Sequence, residues 1–391
     1  MRRGPYQVAR GRSTRRRAPP RARNTGNIEE ADALPKTDET AVPWWRPDAF
    51  ARRRANLRAR AAIRREIRAF FDGQGFLEVE TPALQVSPGM EPHIKAFETE
   101  IQGPNPDDRR RLYLHTSPEF SMKKLLVAGE ERIYQLAPVY RNGERSPTHS
   151  PEFTMLEWYR AGASYRDLIE DCRGLVAAAA RAAGASRLSA RGGTCDPFGE
   201  WEVLTVADAF ERHAGIDLLA TAPDPAAPDA ALLAREAERI GIRPHPGDTW
   251  EDLFFRVALE RIEPFLGFGR PTVLAEYPVS MAALSRPKPG DPRLAERFEL
   301  YACGVELANA FGELTDPAVQ RQRFEADMDL KERLYGDRYP VDEDFLAALE
   351  HGMPESAGIA LGFDRLVMLC TGAAGIDEVL WAPVARPVPG A

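Results

Sequence analysis

LYLHTSPEFSMKKLLVAGEERIYQLAPVYRNGERSPTHSPEFTMLEWY, residues 112–159, carries two features that chemistry can use. The first is Ser117-Pro118-Glu119, at the end of an apolar run formed by Leu112, Tyr113 and Leu114. A carboxylate at a strand end can face a pocket and bind a cation. Ser121 to Val127 then continues as a helix with Met122, Leu125 and Leu126 inward. The second feature is Arg141-Asn142-Gly143-Glu144, a polar loop, and His149-Ser150-Pro151-Glu152-Phe153. With Val139-Tyr140 before it and Phe153 to Leu156 after it, this reads as strand, loop, strand. An arginine at a strand end suits a phosphate, because its planar fork matches phosphate oxygens. Taken singly, each feature is equally a surface turn with solvated charges.

Working outward, residues 50–72 place Leu57, Ala61, Ile63, Ile67, Phe70 and Phe71 at three- and four-residue spacing, which predicts an amphipathic helix. Gly73 and Gly75 end it, and Phe76 to Thr81 is a strand stopped by Pro82. Residues 83–111 read as a loop and a strand over His93 to Ile101. Tyr165 to Ala183 is a second helix. Residues 184–250, rich in proline and alanine, are expected to form a helical insertion. His213 and His245 within it have no second ligand at helical or strand spacing. Thr249 to Ile262 is amphipathic, and Pro271 to Tyr277 is a strand.

Arg297 to Leu314 reads as a hairpin turning at Cys303-Gly304. Tyr301 would then oppose Glu306, with Glu299 a diagonal neighbour on the same face, roughly 7 Å away. Two such carboxylates allow a divalent metal or a solvated strand face; Mg²⁺ takes one or two carboxylates plus phosphate oxygens and water. In Gly358 to Leu366, small residues precede a helix that begins near Asp364. Glycines let a nucleotide approach the backbone, and a helix N-terminus favours anions.

A chain of 391 residues can bury a large core in one or two domains. Its net charge of -7 excludes a generic nucleic-acid binder, although residues 1–23 hold nine arginines and no acid. Residues 1–49 lack aliphatic periodicity and read as a disordered tail, either an idle extension or an RNA-binding arm. Cys172, Cys195, Cys303 and Cys370 lie far apart, which suggests neither a disulfide framework nor a zinc site and fits a reducing cytoplasm. No apolar run approaches the roughly 20 residues of a membrane span.

Taken in order, Ser117-Pro118-Glu119, Arg141 to Phe153 and Gly358 to Leu366 resemble the catalytic core of class II lysyl-tRNA synthetases over residues 55–385. They look most like the short paralogues that act on elongation factor P. The resemblance implies an α+β catalytic domain over residues 50–391, an antiparallel sheet flanked by helices. The helix at 50–72 with its strand and proline is similar to the element that builds the family's homodimer. ATP and Mg²⁺ are the implied cofactors. Arg141 and Arg365 would be catalytic, gripping the ATP phosphates. Asn142, Gly143, Glu144, Ser150, Phe153, Leu307 and Gly362 would also lie at ATP, with Phe153 stacked on adenine. Glu299 and Glu306 would carry the metal. Ser117, Pro118, Glu119, Tyr159, Glu313 and Ala360 would form the substrate pocket, where two carboxylates suit a substrate with two amines.

The same resemblance implies activation of (R)-β-lysine, or α-lysine, as an adenylate, and transfer to a lysine of elongation factor P. Ala360 stands where lysyl-tRNA synthetases usually have glycine, and Ser117 where they have alanine; both match the paralogue. The paralogue's Arg-Asn-Glu reads Arg141-Asn142-Gly143 here, with the acid displaced to Glu144, and His149-Ser150 replaces the more usual His-Asn. Whether Gly143 or Glu144 reads adenine stays open. Residues 1–49 are too few for the anticodon-binding OB-fold barrel of the synthetases, so stable tRNA binding is not expected. Two other readings remain: a truncated synthetase that charges tRNA, and a catalytically silent regulatory relative.

Overall fold

The computed structural model describes residues 42–105 and 107–385. The expected tail therefore lies outside the described residues as far as Ala41. In chain order come α1 (Pro47–Asp72), β1 (Leu77–Glu78), β2 (Leu84–Gln85), β3 (Phe97–Gln102), β4 (Arg109–Leu114) and α2 (Glu119–Val127). Next are β5 (Arg132–Tyr140), β6 (Glu152–Ala161), α3 (Tyr165–Ala183), β7 (Leu188–Ala190), β8 (Gly193–Cys195), β9 (Glu202–Thr205), α4 (Val206–Ala214), α5 (Ala230–Arg239) and α6 (Trp250–Val257). Then follow β10 (Thr272–Ala275), β11 (Pro287–Lys288), β12 (Asp291–Ala295), β13 (Arg297–Ala302), β14 (Val305–Gly312), α7 (Pro317–Tyr335), α8 (Glu343–Gly352), β15 (Ser356–Gly362) and α9 (Phe363–Thr371).

The main sheet has eight strands in the order β1-β5-β6-β15-β14-β13-β10-β9. Its centre is antiparallel, while β1 on β5 and β9 on β10 are parallel pairs at the two edges. This is the expected α+β architecture. Period-2 alternation sorts the side chains onto two faces. On β6 and β15, Leu156, Trp158, Ala357, Ile359 and Leu361 point into the large core with Ile67 and Phe71 of α1, Leu168 and Cys172 of α3, and Leu366 of α9. The opposite face presents Glu157, Tyr159, Gly358 and Ala360, and α2, α7 and α8 pack toward it through Phe120, Phe324 and Phe345. The hydrophobic alternation thus fixes which face carries polar side chains.

The segment 184–250 departs from expectation. It is not purely helical: β7 and β8 form a hairpin, and β9 joins the main sheet as an edge strand. Its helices α4 and α5 share a second core with α6, built on Phe210, Leu233, Trp250 and Phe254 against Leu274 and Tyr277. A four-residue strand over Glu202–Thr205 is too short to stand out in an alanine- and proline-rich sequence. The strand after α1 is also shorter than expected, two residues, and the strand expected from His93 begins at Phe97. No described helix is long and apolar enough to cross a membrane.

Candidate active site

The polar face of the sheet opens into a cavity of about 300 Å³. One end holds cations. Arg141, at the exit of β5, has its guanidinium 5.3 Å from the centre of the Phe153 ring and 3.9 Å from Glu144. Its Nε is buried without a hydrogen-bond partner among the described residues. Arg365, in the first turn of α9, donates from Nη1 to the Glu306 carbonyl at 2.9 Å. Its Nη2 lies 2.6 Å from His149 Nε2. Burial, then the Arg365 charge, lowers the His149 imidazole to about 4, so this ring is neutral and can accept that bond. Two arginines, one with an unsatisfied donor, are arranged so that they could hold an anion.

Beside it, β13 and β14 turn at Cys303-Gly304, both with positive φ (54° and 68°). Tyr301 opposes Glu306 as expected, but a bulge at Leu300/Tyr301 sets Glu299 opposite Asn309. Both carboxylates line the cavity. Glu299 is held by the hydroxyls of Tyr277 (2.6 Å) and Tyr301 (2.8 Å) and by Arg297 Nη2 (2.6 Å). Glu306 is freer, its carboxylate 3.8 Å from Arg365 Nη1. Desolvation at the cavity wall, then the Glu299 charge, push the Glu306 carboxyl up, although its side chain is 45% exposed. Two oxygen donors in mutual repulsion fit a hard divalent cation shared with phosphate oxygens.

The other end is acidic. Glu119, in the first turn of α2, lines the cavity with Ser117 and Ala360. Behind them, one contact removed from the open wall, lie Glu157, Tyr159 and Glu313. Ser117 Oγ donates to Glu157 Oε2 at 2.8 Å, and the Tyr159 hydroxyl donates to Glu157 Oε1 at 2.5 Å. Lys123 Nζ sits 2.5 Å from Glu119 Oε1 and 2.6 Å from Glu313 Oε2. Lys123 thus meets Glu313 Oε2, while Glu313 Oε1 is buried with no hydrogen-bond partner among the described residues. Burial, then the Glu119 charge, raises Glu157 to about 8. Burial also raises Glu313, to about 7, although Lys123 opposes it. Gly358 makes this packing possible: a Cβ there would lie 2.2 Å from the Tyr159 ring and 2.3 Å from Glu313 Oε1.

Of the residues singled out in the sequence, Ser117, Glu119, Arg141, Glu144, Ser150, Phe153, Glu299, Glu306, Leu307, Ala360, Gly362 and Arg365 line one cavity. Pro118 instead precedes α2 as its N-cap. Asn142 and Gly143 shape the turn after Arg141 and do not line the wall: the Asn142 amide donates to the Lys95 carbonyl at 2.6 Å, and Gly143 takes φ 87°. Two charged residues packed against the acidic end were not singled out in the sequence. Glu157 is a charge between Leu156 and Trp158 in an apolar strand, and Lys123 lies on the inward side of α2. A charge inside an apolar run is a signal, since such residues are almost never buried unpaired.

The family model tRNA synthetases class II (D, K and N) matches residues 49–386. The chain is 41% identical over 347 residues to an elongation factor P--(R)-beta-lysine ligase of Erwinia tasmaniensis, covering 88% of this chain and 98% of that protein. It is 40% identical over 354 residues to the protein of the same name from Klebsiella pneumoniae, covering 89% and 99%. It is 38% identical over 329 residues to a lysine--tRNA ligase of Pelotomaculum thermopropionicum, covering 84% of this chain and 63% of that protein. With an anion site, a carboxylate pair and an acidic pocket on one antiparallel sheet, and with matches across nearly its whole described length, the chain belongs to the class II tRNA synthetases of the D, K and N group.

Proposed function

We propose that the protein is an ATP-dependent ligase. It activates (R)-β-lysine, or α-lysine, and transfers it to a lysine ε-amine of elongation factor P. The observation that carries this reading is the polarity of the cavity: arginines at one end, and at the other three acids faced by one ammonium, Lys123, with Glu313 Oε1 buried and without a hydrogen-bond donor among the described residues. A buried carboxylate oxygen without a donor is costly, and a substrate ammonium supplies what it lacks. The relatives named above as ligases acting on elongation factor P match across almost their full length.

In the first step a carboxylate oxygen of lysine attacks the α-phosphorus of ATP, and the bond to the pyrophosphate oxygen breaks. Arg141 and Arg365 hold the phosphates and stabilise the charge that grows there; positioning and electrostatics are most of what such transfer needs. Glu306 and Glu299 would hold Mg²⁺, whose charge neutralises phosphate oxygens. Phe153 offers a face for adenine, and Glu144 is the nearer candidate for its amine, because Gly143 does not line the cavity. Glu119 and Glu313 hold the two ammonium groups, with Tyr159 and Ser117 beside them. In the second step the acceptor amine attacks the adenylate carbonyl, AMP leaves, and an amide forms as the amine gives its proton to solvent. No protein nucleophile is required. The reading includes a homodimer through α1 and its following strand, a cytoplasmic location, and no stable tRNA binding.

Pyrophosphate exchange into ATP tests the first step. Exchange is expected with lysine or (R)-β-lysine and at least about 100-fold less with aspartate, whose charge the acidic end repels. Equal exchange with aspartate would contradict the pocket assignment.

A further inference from the structure

Lys123 has no part in the steps above, yet it is the most buried lysine among the described residues. Its side chain is 1% exposed and does not line the cavity. It extends from α2 between Glu119 of its own helix and Glu313 beyond β14, with Phe345 of α8 6.0 Å from its ammonium. Glu157 and Tyr159 face the same cluster from β6. Neighbouring charges are already matched elsewhere. Arg286 pairs with Glu296 at 2.6 Å, Arg297 pairs with Glu299 at 2.6 Å, and Lys124 turns outward to Asp342 and Asp344. Fully ionised, the cluster is three carboxylates and one ammonium, a net of two negative charges; without substrate, burial keeps protons on Glu157 and, in part, on Glu313, and a bound ammonium displaces them.

We infer that Lys123 is a built-in counter-ion that limits the ionised amine pocket to two negative charges and so selects a substrate carrying two ammonium groups. This rests on the lysine-activating function proposed above. Without Lys123 the pocket would hold three carboxylates, and they would take up protons rather than stay ionised in a desolvated cluster. With it, the pocket and a doubly charged substrate are neutral together, and a singly charged ligand leaves one carboxylate unmatched. Burial works against the charge of Lys123, but Glu119 and Glu313 outweigh it and its pKa is raised, so the counter-ion is present at neutral pH. Lys123 acts through the carboxylates and is a positioning residue.

The test is lysine-dependent pyrophosphate exchange as a function of pH in wild type, Lys123→Met and Lys123→Arg, with melting curves for all three. In K123M the carboxylates titrate higher. KM for lysine should rise about tenfold at pH 7, its low-pH limb should move up by about one unit, and kcat should stay within about threefold. K123R keeps the charge and should return KM to within about threefold of wild type. An unshifted KM profile in K123M, or K123R more impaired than K123M, would overturn the inference in favour of simple packing. Calorimetry on the wild type, in two buffers of different ionisation heat, covers the case in which K123M does not fold. Lysine should release more protons on binding than 6-aminohexanoate, which has one ammonium; equal proton counts would also overturn the inference. A wild type with no lysine-dependent exchange would refute the proposed function, whereas an active wild type with an unshifted K123M refutes only the counter-ion.

Discussion

Arg141→Ala should leave the protein folded and lower lysine-dependent pyrophosphate exchange by about 10³-fold. The effect is large because Arg141 does nothing else of consequence. Its Nε has no partner among the described residues, its ion pair with Glu144 is long at 3.9 Å, and its guanidinium lies near Phe153 at the cavity wall. A cation held this way contributes little to stability and is free to meet an anion. Its interaction strengthens as charge accumulates at the α-phosphate, so the loss should fall on kcat more than on KM for ATP. Arg141→Lys should recover only a fraction, because an ammonium cannot reproduce the planar two-pronged contact. Exchange within a few-fold of wild type in Arg141→Ala would remove Arg141 from the phosphate site.

The second large effect is on stability. Arg60 of α1 pairs with Asp364 of α9, and the two side chains are 7% and 2% exposed. Arg60 Nη2 also donates to Thr154 Oγ1 at 3.1 Å, its guanidinium lies 4.7 Å from the Phe363 ring, and the Thr154 amide donates to Asp364 Oδ2 at 2.6 Å. One buried pair thus ties α1, β6 and α9 together beside Arg365. Arg60→Met leaves a buried carboxylate with no counter-ion, which costs about 3–5 kcal/mol. In thermal melts this corresponds to a fall in Tm of about 4–7 °C for a chain of this length. Activity at low temperature should fall as well, since Arg365 follows Asp364 directly. The double replacement Arg60→Met with Asp364→Leu should recover part of the stability, because it removes the stranded charge. A Tm unchanged in Arg60→Met would show that the pair contributes nothing net.

Much of the cavity lining was legible in the sequence because it lies at strand ends and helix starts that the residues themselves mark. Arg141 follows an apolar strand, Glu119 opens a helix after Ser117-Pro118, and Arg365 follows the small residues of β15. The hairpin at Cys303-Gly304 was legible too, and it fixed Tyr301 opposite Glu306. What the sequence hid is depth. Glu313 and Tyr159 were expected in the pocket but lie one contact behind its wall, and nothing in local spacing distinguishes the two positions. Glu157 and Lys123 were passed over because one is a charge within an apolar strand and the other one of two adjacent lysines on a helix. Only the packing of α7 and α8 over α2, through Phe324, Phe345 and Phe120, buries Lys123, and residues 317–352 offered no motif to announce those helices. The strands between 188 and 205 were hidden for another reason: they are three or four residues long, and the partner of β9, β10, is distant in sequence.

The central claim is that activated lysine goes to a protein. The direct measurement is the intact mass of elongation factor P after incubation with this enzyme, Mg-ATP and (R)-β-lysine, with bulk tRNA present as a competing acceptor. The account predicts a mass increase of one lysyl unit on elongation factor P and uncharged tRNA. Unmodified elongation factor P with lysyl-tRNA formed would contradict it and make the protein a tRNA-charging enzyme.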